Sequence, residues 1–263
     1  MPFAPINGVD LHYVEQGHGT PVVLVHGFPL DSRIFARQID SLSGKFRVVA
    51  PDLRGFGQSR SVEPFTIPSL ADDVHRLLRH LGALPCVLAG LSMGGYVSLA
   101  FADKYAADLK GLILIDTKSE ADTDEAKQNR LKMADLARTQ GSGPVAEQMF
   151  PKMLAPETPK RLPHVAATLR TIMQQCPAKT IEHACLAMKD RADYTPLLTR
   201  LDVPGLIVVG ANDAIAPPKI AQQMQQNLKK AGLALIPNAG HIPTMEQPDD
   251  VSGAIRSFVE SVR

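Results

Sequence analysis

The stretch that decides the fold is Pro85-Cys86-Val87-Leu88-Ala89-Gly90-Leu91-Ser92-Met93-Gly94-Gly95. Its first half is a continuous apolar run ending in glycine, the pattern of a strand buried on both faces. Its second half opens a helical pattern: Tyr96, Leu99 and Ala100 predict a helix from just after Ser92 to about Tyr105. Between the two lies Gly90-Leu91-Ser92-Met93-Gly94, a G-x-S-x-G sequence. A sharp strand-to-helix turn strains its central residue and pushes the hydroxyl out above the sheet, while the flanking glycines let strand and helix approach without side-chain clash. The helix N-terminus behind Ser92 offers unpaired N–H groups and a positive dipole end, which suit a developing oxyanion. Ser92 is therefore a candidate nucleophile. The competing account, a serine that merely caps a helix, is disfavoured by the strand before it and the helix after it.

Similar apolar runs recur on both sides: PVVLVHG (21–27), FRVVAPD (46–52), GLILID (111–116), GLIVVG (205–210) and LALIPN (233–238). All read as strands buried on both faces in a parallel sheet covered by helices. Leu11–Val14 and Val22–Val25, linked through Gly17 and Gly19, read as an antiparallel entry hairpin. Leu70, Val74, Leu77, Leu78 and Leu81 predict a helix with Ser69 as N-cap, Asp72 and Asp73 in the first turn and Gly82 as the stop. Ile220, Met224 and Leu228 follow Pro217 and Pro218 in another helix, and Val251, Ile255, Phe258 and Val259 mark the last. This alternation means α/β architecture. It stops between Asp116 and Gly205, where the chain reads as four or five proline-punctuated helices. The predicted organisation is a core of residues 1–116 and 201–263 with an all-helical cap, 117–200, inserted into it.

Composition narrows the class. The 263 residues are 44% hydrophobic and 21% charged, with 28 Lys and Arg against 27 Asp and Glu. That balance argues against a nucleic-acid binder and gives no polybasic reason to sit on a membrane. No apolar stretch approaches the ~20 residues of a membrane span, and the start carries no secretory pattern. Three cysteines, Cys86, Cys176 and Cys185, form no CxxC pair and read as free thiols of a reducing cytoplasm.

A serine hydroxyl needs a base. His241, in Asn238-Ala239-Gly240-His241, follows a strand's carboxyl end, the edge where sites form in open α/β sheets. Asp213, in Gly210-Ala211-Asn212-Asp213, follows another and is the candidate for orienting the imidazole; Asp116 competes for that role, or else is structural or supports the cap hinge. The chain order Ser92, Asp213, His241 is the one expected of this arrangement. In His26-Gly27-Phe28-Pro29 the Phe28 N–H can point at a substrate oxygen, with the Met93 N–H as second donor; Pro29 has none to give. His26 reads as a brace for this loop. Arg54 follows a strand end and is open to two roles, meeting a substrate carboxylate or bonding its own loop. His75 and His80, five apart, do not share a helix face, so no metal site is expected there.

With these residues in place, the chain resembles the α/β-hydrolase family. The segments HGFP (26–29), DLRGFGQS (52–59), GLSMGG (90–95), GANDAIAP (210–217) and NAGHIPTMEQPDDV (238–251) match its landmarks in order. The resemblance implies an eight-stranded, mostly parallel sheet flanked by helices, with a helical cap after the sixth strand. Ser92 disfavours the dehalogenases and epoxide hydrolases, which use an aspartate at the turn. Leu91 and the absence of Trp disfavour carbon–carbon hydrolases. What remains implied is a serine esterase of the carboxylesterase or enol-lactonase type. It would cleave carboxylic esters of small to medium apolar substrates through an acyl-enzyme, with no metal or organic cofactor. Lactonase activity and perhydrolysis as a side activity stay open, as does a receptor-like protein with an idle triad. The expected partner is a small-molecule ester or lactone, bound by a monomer or homodimer. Phe28, Met133, Met149, Met153, Met173, Met188, Ile215 and Ile242 are the candidates for its pocket, methionine being suited to irregular apolar cavities. A dinucleotide-binding oxidoreductase is a third possibility on fold class alone, disfavoured by the missing glycine fingerprint after the first strand.

Overall fold

The computed structural model describes residues 2–61 and 63–262. Its strands are β1 (Phe3–Ile6), β2 (Val9–Gln16), β3 (Pro21–Val25), β4 (Arg47–Pro51), β5 (Cys86–Leu91), β6 (Leu109–Ile115), β7 (Gly205–Gly210) and β8 (Ala231–Ile236). They form one sheet of eight strands in the order β1-β2-β4-β3-β5-β6-β7-β8. From β4 to β8 every pairing is parallel, while β1 with β2 and β2 with β4 are antiparallel.

Helices fill the connections: α1 (Ala36–Leu42), α2 (Ile67–His80), α3 (Met93–Tyr105), α4 (Asp124–Gln140), α5 (Ser142–Met153), α6 (Thr158–Arg161), α7 (Pro163–Gln175), α8 (Ala178–Lys189), α9 (Thr195–Arg200), α10 (Pro218–Asn227), α11 (Pro243–Glu246) and α12 (Pro248–Ser261). The continuous apolar runs are explained by two packed faces. Val23, Leu88, Leu112 and Leu114 join one buried cluster with Leu70 of α2, Val97 of α3 and Met224 of α10. Their neighbours Val22, Val87, Ile113 and Ile115 join a second with Leu42 of α1 and Val251 and Ile255 of α12. Successive strand residues point to opposite faces, so a strand covered on both must be apolar throughout.

Four local expectations are corrected. The entry hairpin is β1–β2, not β2–β3: it turns at Asn7-Gly8, whose φ values of +49° and +78° make the two-residue turn that matches strand twist. The Gly17–Gly19 link instead carries the chain over β4, so that β3 pairs with β4 and β5. The N-cap of α2 is Thr66, not Ser69, which leaves Asp72 and Asp73 beyond the first turn; Ser69 is the third helical residue, and the two side chains cap each other's backbone N–H. Gly82 does lie just past the helix end, with φ +59°. β8 is not buried on both faces, because it is the sheet's last strand, and Leu233 and Leu235 are 39% and 56% exposed. Residues 117–200 hold six helices, since α6 and α9 are short additions of 4 and 6 residues. No strand occurs there among the described residues, and no described helix is long and apolar enough to cross a membrane.

The reciprocal cap on α2 yields a stability prediction. Thr66→Ala removes one acceptor for an otherwise unpaired N–H and is expected to cost about 1 kcal/mol, lowering Tm by about 2–4 °C in a thermal melt. Thr66→Ser restores the oxygen and is expected to restore most of the loss.

Candidate active site

The turn between β5 and α3 holds Ser92 at φ +54° and ψ −114°, a strained conformation for a residue with a side chain. The surroundings leave no alternative. A Cβ on Gly90 would stand 2.2 Å from the Gly94 carbonyl oxygen, and one on Gly94 would stand 2.1 Å from that of Val25. The turn is tied across the sheet, since Ser92 N donates to the Ile115 carbonyl at 2.9 Å and Thr117 Oγ1 donates to the Ser92 carbonyl at 2.7 Å. The helix therefore starts directly behind a half-buried hydroxyl.

Two loops from other strand ends meet it. His241 Nε2 lies 2.8 Å from Ser92 Oγ, and His241 Nδ1 lies 2.8 Å from Asp213 Oδ2. With Nδ1–H donating to the carboxylate, Nε2 is left as an acceptor facing the hydroxyl. Asp213 is 4% exposed. Burial by itself would raise its carboxyl, but the His241 ring, its hydrogen bond, the Ile215 N–H at 2.8 Å and Asp116 together hold it below the usual carboxylate range. His26 does brace its loop: Nδ1 donates to the Gly27 carbonyl at 2.8 Å, and Nε2 accepts the Leu53 N–H at 3.0 Å. Burial pushes that imidazole below its ordinary value, as suits a neutral ring with one donor and one acceptor nitrogen. The Phe28 and Met93 N–H groups donate to no protein group among the described residues, which leaves both free for a ligand oxygen.

Asp116, the competitor of Asp213, makes no hydrogen bond to His241; its Oδ1 accepts the Gly210 N–H at 2.8 Å. Asp116, Asp213 and His241 bring ligand atoms within 4.8 Å of one another, a spacing a metal could use. Yet Nδ1 is engaged by Asp213 and Nε2 by Ser92, so neither ring nitrogen is left for an ion. The Arg54 guanidinium is taken up by Asp73 on α2 in a paired contact, Nε and Nη2 each at 2.8 Å. Cys86, Cys176 and Cys185 are free and buried, and burial pushes the Cys86 and Cys185 thiols up to about 12.

The eight pocket candidates divide. Phe28 and Met188 are buried in the first core cluster, with Met133 packed against it. Met153, Met173 and Ile242 are buried in the second, and Met149 touches both. Ile215 is 38% exposed, and its contribution near the relay is its backbone N–H. A cavity of about 660 Å³ opens between β2, α1 and the end of α7; neither the eight candidates nor Ser92, Asp213 and His241 border it.

Glu246 is the residue that sequence reasoning left without a role. It is 2% exposed. Its Oε1 accepts the Ala155 N–H at 2.8 Å and the Thr158 hydroxyl at 2.6 Å, and its Oε2 accepts the Gly240 N–H at 2.7 Å. It thus fastens the link between α5 and α6 to the histidine loop. His241 N adds a bond to the Met153 carbonyl at 3.1 Å, and Arg161 Nη2 one to Asn238 O at 2.9 Å. Burial raises the Glu246 carboxyl above its ordinary value despite these donors. A buried acid with several backbone donors has no periodic signature, so spacing alone does not reveal it.

Comparison with known proteins identifies the family. The Alpha/beta hydrolase family profile matches residues 22–254. The AB hydrolase superfamily protein YisY of Bacillus subtilis is 30% identical over 266 residues, covering 96% of each chain. A malate-bound thermophilic esterase from Thermogutta terrifontis is 42% identical with a TM-score of 0.95, over 100% of this chain and 97% of that one. The enol-lactonase of Burkholderia xenovorans LB400 is 28% identical with a TM-score of 0.92, over 98% of this chain and 100% of that one. Fold and relatives converge: the chain belongs to the α/β-hydrolase family, and its relatives include esterases and enol-lactonases.

Proposed function

We propose that this protein is a serine esterase that cleaves carboxylic esters of small to medium apolar substrates through an acyl-enzyme. The observation that carries the reading is the unbroken relay from Ser92 Oγ to His241 Nε2 and from His241 Nδ1 to Asp213 Oδ2, both at 2.8 Å. His241 takes the Ser92 proton as the hydroxyl oxygen attacks the ester carbonyl. Asp213 fixes the imidazole tautomer and stabilises the imidazolium that forms. The Phe28 and Met93 N–H groups stabilise the tetrahedral oxyanion. His241 then gives its proton to the leaving alkoxide, and afterwards draws a proton from the water that releases the acid.

In this reading residues 117–200 are a cap over a core of 1–116 and 201–263, and the buried methionines shape its underside. The three free cysteines fit a reducing cytoplasm, and no partner beyond the substrate, or a second copy of the chain, is called for. A lactone is the second substrate class, favoured by the likeness to the Burkholderia xenovorans enol-lactonase. The same relay opens a ring as it cleaves a linear ester, except that the leaving alkoxide or enolate stays attached to the acyl group.

Initial rates on p-nitrophenyl esters from acetate to laurate, beside an enol-lactone, test both readings. Turnover of the short esters is expected, with Ser92→Ala lowering kcat by about 10⁴-fold or more. Turnover of the lactone alone would assign the second class. Absence of any Ser92-dependent turnover would refute both and leave a ligand-binding protein with an idle relay.

Glu246→Gln tests the anchoring of the histidine loop. An amide puts N–H groups where only acceptors fit, so one tie to Ala155, Thr158 or Gly240 must break. Loss of a hydrogen bond to a charged group, about 2 kcal/mol, is expected to lower Tm by roughly 4–8 °C. Turnover is expected to fall with it, because His241 follows Gly240 directly. An unchanged melt would show that the carboxylate does not hold the loop.

A further inference from the structure

Asp116 is an unusual residue for its place. It is 1% exposed at the carboxyl end of β6, and its φ of +42° lies in the left-handed region that side chains seldom occupy. Its N–H donates to the Val208 carbonyl at 2.9 Å, and its Oδ1 accepts the Gly210 N–H at 2.8 Å, so both backbone and carboxyl are clamped to β7. Asp116 Oδ2 is buried and finds no donor. What it does find is another carboxyl group. Oxygens of the Asp116 and Asp213 carboxyls lie within 4.8 Å of each other, with Asp213 Oδ1 taking the Ile215 N–H and its Oδ2 the His241 Nδ1–H.

We propose that Asp116 is a positioning residue for Asp213: its own carboxyl O–H, at Oδ2, donates a hydrogen bond to the carboxylate that orients His241. This rests on Ser92, His241 and Asp213 acting as the hydrolytic relay. The argument is one of satisfaction. Two adjacent carboxylates sealed from water repel strongly, and each would leave a lone pair facing the other. A single proton between them turns the orphaned acceptor into a donor and removes one of the two charges. The surroundings decide which group holds it. Asp213 faces the His241 ring and a backbone N–H, both of which favour its charge. Asp116 has the one Gly210 N–H, while burial and the neighbouring Asp213 and Glu246 carboxyls push it well above the usual carboxylate range. The pair is thus a neutral acid behind an anion, which spreads the Asp213 charge and keeps its oxygens from turning away from His241.

Three variants read this out. Asp116→Asn keeps the shape, tolerates the left-handed backbone, accepts the Gly210 N–H with its oxygen and donates to Asp213 with its amide. It is expected to stay within about threefold of the wild-type kcat. Asp116→Gly relieves the backbone but removes the donor. It is expected to lose about tenfold or more in kcat with KM little changed. The acid limb of its kcat/KM profile is expected to move to higher pH, because Asp213 without its donor holds a proton more tightly. Equal losses in the Asn and Gly variants would overturn the proposal, since an ionised Asp116 cannot be replaced by an amide.

A second readout needs no turnover. In the unfolded chain Asp116 ionises at about 3.9. In the folded protein it holds its proton to higher pH, so that part of stability is fully present below the unfolded value and is lost as pH rises towards the folded one. Asp116→Asn has no proton to retain. Its Tm relative to wild type is therefore expected to climb by about 3–5 °C per pH unit above pH ~4. A difference that does not vary with pH would overturn the proposal. If Ser92→Ala shows the hydrolytic reading to be wrong, this melt still decides whether Asp116 carries the proton.

Discussion

The hydrogen bond between His241 Nε2 and Ser92 Oγ joins residues 149 positions apart, and the one between His241 Nδ1 and Asp213 Oδ2 spans another 28. Contacts of that range at 2.8 Å need a frame that fixes the ends of distant segments to a fraction of an ångström. The parallel pairing of β5, β6, β7 and β8 is that frame. Parallel strands put all their carboxyl ends on one edge, and the loops after β5, β7 and β8 carry the three side chains there. Everything else about the core follows from holding that edge rigid: two buried faces, apolar strands, and a turn at Ser92 so tight that a single added Cβ would strike backbone.

Three acids crowd this edge, and their surroundings give them different duties. Asp213 has donors enough to remain an anion. Asp116 and Glu246 are both raised by burial, but one has a single backbone donor and the other ties Ala155, 91 residues before it, to Gly240. The same side-chain chemistry thus serves as charge, as proton holder and as clasp. Low dielectric sharpens these differences, since an ion without partners is costly there and one with several is held firmly.

Much of this was legible in the residues. The sequence 85–95 reads as strand, turn and helix because both periodicities are strong and the glycines are spaced as the turn requires. Asp213 and His241 are recognisable because each follows an apolar run directly. The misreadings have a common cause. The sequence pattern reports burial of a segment but not its neighbour in space. Gly17 and Gly19 resemble a hairpin turn as well as Asn7-Gly8 does, and the difference lies in which strand is waiting on the other side. Leu233 and Leu235 look like core because nothing in a strand's own residues says it is the last one. Ser69 and Thr66 are both good capping residues, and the helix uses both. Glu246 was invisible for a different reason: its partners are backbone groups, and backbone groups have no sequence.

The division of labour between sheet and helical segment follows from the same geometry. The groups that would perform the chemistry, Phe28, Ser92, Met93, Asp213 and His241, all stand at the sheet's carboxyl edge, on its loops or at the start of α3. The described ties from the helical segment to the histidine loop are few: the Met153 carbonyl, the Arg161 guanidinium, and the Ala155 and Thr158 donors that Glu246 gathers. All of them lie within one short link from the end of α5 through α6. The remaining helices can therefore change length, packing and lining without disturbing the relay, provided this link and the Thr117 tie to the Ser92 carbonyl are kept. A fold so arranged can vary its substrate by altering residues far from the reacting atoms. That is a physical reason why the site declares its chemistry in the sequence more plainly than its substrate.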